Sequence, residues 1–235
     1  MSDATGFVAA IIPAAGSGTR LGSNQPKAFV ELDGLSLLTR SALALSTVVD
    51  FIIVAVPEDE IRTAAQQLEN VDAPIHVVAG GQNRQDSVAA CLHVLPEEVD
   101  VVLVHDAARP LVPIEVIANV VDSVLQGADA VVPVLPVVDT IKRVDAEGRI
   151  IETVNRDQLR RIQTPQGFRK DVLLQAYADP THVATDDAGL VEALGITVTT
   201  VPGSERALKI TTQNDFAYAI SLLQDSNAMN YGETL

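Results

Sequence analysis

An α/β fold, with a mostly parallel sheet and helices on both faces, is predicted by three observations. Short β-branched apolar runs alternate with stretches whose apolar residues recur at helical spacing. The apolar runs are nearly continuous, which is typical of strands buried on both faces. Hydrophobic residues make up 47% of the 235-residue chain, enough for one sizeable core. We therefore expect one domain over residues 1–235.

The first half of the chain supplies regular strand–helix units. The predicted strands are Phe7–Ile12, Phe51–Val56, Ile75–Ala79, Val101–Val104 and Ala130–Val134. The predicted helices between them are Ser36–Ser46, Glu58–Leu68, one from the Gly80-Gly81 turn to about Val94, and Pro113–Leu125. Ser36 is a plausible N-cap, and Pro113 suits the first turn of its helix.

The pattern changes at Pro136. Val137–Val144 and Arg149–Val154 are strand-like runs joined by a short turn that contains Gly148, which indicates a β-hairpin. This hairpin interrupts the strand–helix pattern, so we expect an arm that projects from the domain over approximately residues 136–158. The pattern then resumes with helices Lys170–Tyr177 and Asp186–Leu194, strand Ile196–Val201 and helix Thr212–Leu223.

Composition excludes several classes of function. The net charge of −15 repels nucleic acid and anionic membrane, so neither is an expected partner. A single cysteine, Cys91, excludes an intrachain disulfide and a cysteine-rich zinc site. We read neither a signal peptide nor a membrane span, and expect a cytoplasmic protein. With no Trp and 3% aromatic residues, a nucleobase would be held by backbone and small polar groups.

The strongest motif directly follows the first strand. The segment from Pro13 to Leu21 reads Pro-Ala-Ala-Gly-Ser-Gly-Thr-Arg-Leu, and Pro26-Lys27 comes next. Ala and Gly let the backbone approach a ligand closely, and successive N–H groups in such a turn bind anions. Arg20 and Lys27 would add two cations beside bound phosphates. The alternative is an ordinary strand–helix turn with basic residues on its surface, since lone glycine-rich loops give false positives.

A second motif, His105-Asp106-Ala107-Ala108-Arg109-Pro110, follows the fourth predicted strand. A carboxylate at the end of a buried strand can bind Mg²⁺, which prefers oxygen ligands shared with substrate phosphates. Equally, Asp106 could cap the next helix or pair with Arg109. We expect His105 to be a hydrogen-bonded structural residue, because no second His lies at metal-binding spacing.

Other polar segments are weaker signals. Gly80-Gly81 permits close approach to a ligand, and Ser87 could bind a base edge, although a plain turn before a helix also fits. Arg156 and Lys209 could clamp a phosphate, with Arg offering a planar fork. Taken singly, each of these side chains also fits a solvated surface charge.

Together these segments resemble the 2-C-methyl-D-erythritol 4-phosphate cytidylyltransferase family of the non-mevalonate isoprenoid pathway, in order from about Val8 to about Leu223. The matching segments are Pro13-Ala14-Ala15-Gly16, Pro26-Lys27, Gly80-Gly81 with Arg84 and Asp86-Ser87, His105-Asp106-Ala107-Ala108-Arg109-Pro110, Asp139-Thr140-Ile141-Lys142, Thr164-Pro165-Gln166 and Lys209-Ile210-Thr211. The sequence departs from some members at Gln82, where they carry Asp.

The resemblance implies a Rossmann-like sheet and a homodimer whose hairpin arms exchange. It implies that CTP is held by Pro13, Ala14, Ala15, Gly16, Ser17, Gly18, Gly81, Ser87 and Ala107. It implies catalytic roles for Arg20, Lys27 and Lys209, with Mg²⁺ near Asp106. It implies contacts with the methylerythritol phosphate from Asp106, Arg109, Thr140, Arg156, Thr185 and Lys209, where Thr140 and Arg156 come from the partner subunit.

The implied reaction is attack by a substrate phosphate oxygen on the α-phosphorus of CTP, with release of pyrophosphate. Ribitol-5-phosphate cytidylyltransferase is the main alternative, and Ala14-Ala15 with Ala108 favours the isoprenoid enzyme over it. A sugar-1-phosphate nucleotidyltransferase fits the Arg109-Pro110 and Thr164-Pro165-Gln166 segments less well. A non-catalytic CTP-sensing module would have no use for Lys27, Asp106 and Lys209.

Overall fold

The computed structural model describes residues 6–16, 26–179 and 183–232, with side chains described as far as residue 224. The strands within these residues are β1 Phe7–Pro13, β2 Glu31–Leu32, β3 Leu35–Ser36, β4 Phe51–Val56, β5 Ile75–Ala79, β6 Val99–Val104, β7 Ala130–Pro136, β8 Ile141–Val144, β9 Ile150–Val154, β10 Arg160–Ile162, β11 Gln166–Arg169 and β12 Val198–Pro202. The helices are α1 Leu37–Ser46, α2 Ile61–Gln67, α3 Arg84–Leu92, α4 Ile114–Leu125, α5 Lys170–Ala176, α6 Asp187–Ala193 and α7 Gln213–Gly232.

Each predicted strand and helix has a counterpart in the structure, usually shifted by a few residues at its ends. The predicted helix Glu58–Leu68 is divided into a 3₁₀ turn, Glu58–Glu60, and α2. The last helix continues to Gly232, well beyond the predicted end at Leu223. Ser36 caps α1 as predicted, because its hydroxyl accepts a hydrogen bond from Thr39 N at 3.1 Å.

Eight strands of the described residues form the main sheet, and their order around β1 creates a crevice. From β1 the chain moves to β4 and β5 on one side, then crosses to β6 on the other side. Strands β1, β4, β5, β6, β7 and β12 share one direction, whereas β10 and β11 run opposite to them. Open α/β sheets bind ligands where the strand order reverses, at the carboxyl ends of the strands. This rule points to the loops that follow β1 and β6.

Alternate residues of β1 pack into cores on opposite faces of the sheet. Val8, Ala10 and Ile12 join a cluster that includes buried side chains of α1 and α4. Ala9 and Ile11 join a second cluster with buried side chains of α3, α5 and α6. The continuous apolar pattern of β1 is explained by this two-sided burial. Cys91 lies in the second cluster, where burial raises the pKa of its thiol to about 12.

Two antiparallel segments of the main sheet, β10 and β11, were not predicted. Strand β11 lies between β6 and β7, pairing with both. At three and four residues these strands are too short to show a period, and Arg160 and Arg161 make β10 polar. Their placement depends on partners that are distant in sequence.

The predicted hairpin is present as a separate two-stranded sheet formed by β8 and β9. Gly148 in its turn has a φ of 81°, which explains the glycine at this position. Most of the hairpin is exposed, including Val144, Ile150 and Ile151.

In the part of the chain that the structure describes, no helix has the length and apolar character needed to cross a membrane.

Replacing Gly167 by Ala tests the packing of β11 beneath α4. A Cβ atom at Gly167 would overlap the Val120 side chain and lie 3.2 Å from Leu103 Cδ2. We expect Gly167→Ala to lower the free energy of unfolding by about 1–3 kcal/mol, the usual cost of overpacking a core. Urea denaturation measures the change. Adding Val120→Ala should recover part of the loss, and full stability in the single variant would contradict this packing.

Candidate active site

A pocket of about 300 Å³ lies at the carboxyl ends of β1, β5 and β6. It is therefore at the crevice that the strand order indicates. Its lining residues are Pro13, Ala14, Ala15, Gly16, Lys27, Ala28, Gly81, Gln82, Asn83, Arg84, Ser87, Asp106, Ala107, Ala108 and Lys209.

One wall of the pocket is nearly bare backbone. Ala14 N donates to Ala55 O at 2.7 Å, which fixes the start of the loop after β1. A Cβ atom at Gly80 would lie 2.5 Å from Ala15 Cβ, so glycine lets the loop after β5 touch the loop after β1. Since few side chains project here, a ligand can reach backbone groups directly.

Ser87 organises the loop after β5. Its hydroxyl donates to Asn83 O at 2.9 Å and accepts from Gly81 N at 3.2 Å. Asn83 caps α3 by accepting from Asp86 N at 2.9 Å. The Ser87 hydroxyl, which was predicted to bind a base edge, thus fixes the conformation of the loop after β5.

Asp106 is the acidic side chain among the described residues that line the pocket, and cations surround its carboxylate. Arg84 Nε lies 3.0 Å from Oδ1, and Lys209 Nζ lies 2.8 Å from Oδ2. Arg109 Nε is farther away, 4.0 Å from Oδ2. Burial alone would raise the pKa of Asp106, but Arg84 and Lys209 bring it well below its ordinary value. Asp106 is therefore ionised at neutral pH.

Arg84 connects Asp106 to a second buried carboxylate. Its Nη2 lies 2.7 Å from Oδ2 of Asp187, whose side chain is fully buried at the start of α6. Tyr177 donates its hydroxyl to Asp187 Oδ1 at 2.6 Å. Although burial lowers the pKa of Arg84, the two carboxylates raise it more, so the guanidinium stays charged. Arg84 was named in sequence only as part of a motif and without a role; its place in the first turn of a helix after a Gly-Gly pair was the available signal.

A hydrogen-bond chain through His105 fixes the backbone of Asp106. Asp106 N lies 3.0 Å from Thr164 Oγ1, which is 3.2 Å from His105 Nδ1, and His105 Nε2 is 3.3 Å from Arg109 O. Since a carbonyl only accepts, Nε2 carries the hydrogen and Nδ1 accepts from the Thr164 hydroxyl. Burial lowers the pKa of His105 to about 4, so the ring is neutral. This arrangement is the structural one expected for His105.

The structure brings many of the predicted site residues together. Those that line the pocket are Pro13, Ala14, Ala15, Gly16, Lys27, Gly81, Ser87, Asp106, Ala107 and Lys209. Ser17, Gly18 and Arg20 lie outside the described residues.

Four predicted substrate residues are not among the residues that line the pocket. Arg109 donates from Nη1 to Ala207 O at 2.7 Å and from Nη2 to Ile162 O at 3.3 Å. Arg156 donates to Val138 O at the base of the hairpin, and Thr140 is exposed beside it. Thr185 directly precedes Asp186, the N-cap of α6. Their roles toward a substrate stay predictions.

The charge of the pocket differs from that of the chain. Lys27, Arg84 and Lys209 line the pocket together with Asp106, whereas the whole chain has a net charge of −15. A local excess of cations beside a wall of small residues suits a polyanionic ligand such as a nucleoside triphosphate.

The donor set fits a metal only in part. Among the described residues, no three His, Cys, Asp or Glu side chains cluster as a metal site. Mg²⁺ is usually bound by one or two carboxylates together with substrate phosphates. Asp106 therefore fits Mg²⁺ as a ligand shared with a bound triphosphate.

Comparison with known proteins places this geometry in a family. The family model described as 2-C-methyl-D-erythritol 4-phosphate cytidylyltransferase matches residues 8–225. A protein of that name from Saccharopolyspora erythraea is 51% identical over 222 residues, which cover 92% of this chain and 99% of that protein. One from Frankia casuarinae is 50% identical over 218 residues, which cover 92% of this chain and 81% of that protein.

Solved structures agree with the sequence comparison. The 4-diphosphocytidyl-2C-methyl-D-erythritol synthase of Anaerococcus prevotii superposes with a TM-score of 0.82 at 32% identity, covering 93% of this chain and 96% of that one. The 2-C-methyl-D-erythritol 4-phosphate cytidylyltransferase of Thermus thermophilus superposes with a TM-score of 0.75 at 36% identity. The match covers 93% of this chain and 99% of that one.

The buried His105 should make the fold sensitive to acid. Its pKa is about 4 in the folded protein against an ordinary value of 6.5, so the unfolded chain binds the proton first as pH falls. Stability should therefore be intact above about pH 6.5 and decline toward pH 4, by roughly 3 kcal/mol from this group. Urea unfolding of wild type and His105→Asn across this range measures the contribution.

In His105→Asn, stability should be lower at neutral pH but should fall less between pH 6.5 and 4. His93→Asn changes an exposed histidine and serves as the control. An unchanged pH dependence in His105→Asn would contradict the assignment of acid sensitivity to His105.

Proposed function

The chain belongs to the 2-C-methyl-D-erythritol 4-phosphate cytidylyltransferase family, and we propose that the pocket beside β1, β5 and β6 is the active site for that family's reaction. The chain transfers a cytidylyl group from CTP to 2-C-methyl-D-erythritol 4-phosphate. The products are 4-diphosphocytidyl-2-C-methyl-D-erythritol and pyrophosphate, in the biosynthesis of isoprenoid precursors. Relatives at about 50% identity favour this activity over the ribitol-5-phosphate alternative.

One observation carries the site assignment: several cations converge on a pocket whose facing wall is bare backbone, in an otherwise acidic protein. We assign the cytidine to the small-residue wall formed by Ala14–Gly16, Gly81 and Ala107. The triphosphate would then lie toward Lys27, with Arg20 as a second cation. Lys209 would face the phosphate of the methylerythritol substrate.

The proposed reaction is an in-line displacement at the α-phosphorus of CTP. A phosphate oxygen of the second substrate forms a bond to this phosphorus, and the bond to the oxygen bridging the α- and β-phosphates breaks. Pyrophosphate leaves with the electron pair. The attacking oxygen is already anionic at neutral pH, so no general base is required. Catalysis then depends on alignment and on positive charge from Arg20, Lys27 and Lys209.

Mg²⁺ is proposed as the cofactor, with Asp106 as its protein ligand. When bound, the ion would offset charge on the phosphate oxygens. Asp106 also holds Lys209 at 2.8 Å, so the carboxylate places a cation of the chain beside the reacting phosphates.

We also propose a homodimer in which the hairpin arm, approximately residues 136–158 of a single domain, completes the partner's site. An isolated two-stranded hairpin is marginally stable in water. Val138 and Ile150 on this arm are 67% and 66% exposed. Residues 136–158 carry four basic and five acidic residues, so the arm adds little charge that would repel the acidic body of a second copy. Thr140 and Arg156 would reach the substrate phosphate from this arm.

Lys27→Ala should lower kcat by about 10²–10³-fold while the protein stays folded, because a cation acting on transition-state charge is lost. Pyrophosphate release from CTP measures the rate, and circular dichroism checks the fold. Lys170→Ala is the matched control, since Lys170 does not line the pocket and its Nζ donates to Glu97 O, just before the amino end of β6. A fully active Lys27→Ala enzyme would remove Lys27 from the catalytic set.

Mixing two inactive variants tests arm exchange. Arg156→Ala would disable the arm and Lys209→Ala the pocket, so a mixed dimer retains one intact site of two. Random exchange of subunits should restore roughly a quarter of wild-type activity to the equimolar mixture. No recovery, despite mixed dimers detected by native mass spectrometry, would show that the two residues serve the same subunit.

A further inference from the structure

We propose that Gln163 is a positioning residue for Lys209, which rests on the proposed role of Lys209 in the reaction. Lys209 lies between β12 and α7, just after the short 3₁₀ turn Glu205–Ala207. Its side chain is 44% exposed, yet its Nζ lies 2.8 Å from Asp106. A flexible lysine side chain stays beside Asp106 only if the backbone of Lys209 is fixed.

Gln163 fixes that backbone through both ends of its buried amide. Nε2 donates to Ser204 O at 2.8 Å and to Ala207 O at 3.3 Å. Oε1 accepts from Ser204 N at 3.0 Å. The residue is 4% exposed, and its own N donates to Pro133 O at 2.8 Å, so β7 holds it in turn.

The absence of a side chain at Gly203 is a second observation that supports this position of the Gln163 amide. A Cβ atom at Gly203 would overlap Oε1 of Gln163 and lie 3.1 Å from Val134 O. Gly203 N also donates to Val134 O at 2.9 Å. The segment before Lys209 therefore lies so close to β7 and Gln163 that position 203 has no room for a side chain.

The other contacts of the segment place Lys209 between two tethered residues. Arg109 Nη1 donates to Ala207 O at 2.7 Å, on the same carbonyl that Gln163 reaches. Ile210 N donates to Ala108 O at 2.8 Å. Since Ala108 and Arg109 lie two and three residues after Asp106, these bonds set the backbone of Lys209 relative to Asp106. Gln163 is the side chain that holds the beginning of the segment.

The first measurement compares Gln163→Leu with wild type. Removing the amide frees Ser204 and should displace Lys209 from Asp106. A misplacement on the order of 1 Å can cost about 10²-fold, so we expect kcat to fall by roughly 10–100-fold. KM for CTP should change less, because the small-residue wall of the pocket is untouched.

Gln67→Leu is the matched control. Its Oε1 is buried and has no hydrogen-bond partner among the described residues, and it lies at the end of α2. This variant should keep wild-type kcat. If Gln163→Leu fails to fold, Gln163→Asn keeps an amide that is one methylene shorter and should show the same kinetic pattern more weakly.

A double-mutant cycle with Lys209→Ala decides the question. If Gln163 acts through Lys209, adding Gln163→Leu to Lys209→Ala should cause no further loss of kcat at high enzyme concentration. Losses that multiply, with Lys209→Ala itself impaired, would overturn the positioning role alone. A fully active Lys209→Ala enzyme would instead overturn the proposed role of Lys209, and this inference with it.

Discussion

The arrangement of the pocket depends on the pairing of one buried carboxylate, that of Asp106. An ion removed from water is tolerated only when opposite charges and hydrogen bonds replace the solvent. Arg84 supplies one such charge from α3, and Lys209 supplies another from the segment before α7. Arg84 in turn needs Asp187, at the start of α6. This requirement draws separate parts of the chain to the end of β6.

The sheet determines where that carboxylate lies. β1 is buried by apolar side chains on both faces of the sheet. The loop that follows it therefore becomes accessible at the carboxyl end of the strand, beside the end of β6. Gly80 then brings the loop after β5 against Ala15, which leaves a wall of backbone without bulky side chains. The loops that follow β1 and β5 thus meet at the carboxyl end of the sheet and form the small-residue wall of the pocket.

Features that depend on local patterns could be predicted from the sequence. Continuous apolar runs revealed β1, β4, β5 and β6, and the motif after β6 located Asp106. By contrast, β11 was missed because its pairing with β6 and β7 joins segments that are far apart in the chain. Arg84 was named only as part of a motif, without a role, and Gln163 was not singled out, because the significance of each lies in partners that are distant in sequence, such as Asp187 and Ser204.

Arg84 and Lys209 differ in whether a substitution would affect the stability of the fold as well as the site. Arg84 lies between two carboxylates, so its loss would leave Asp187 buried without its ion pair. Structural and catalytic effects therefore coincide at this residue. Lys209 is half-exposed and depends on backbone tethers at Ala207 and Ile210, so its position can change while the core stays intact. In this fold the position of the half-exposed Lys209 therefore has to come from the hydrogen bonds that hold its backbone.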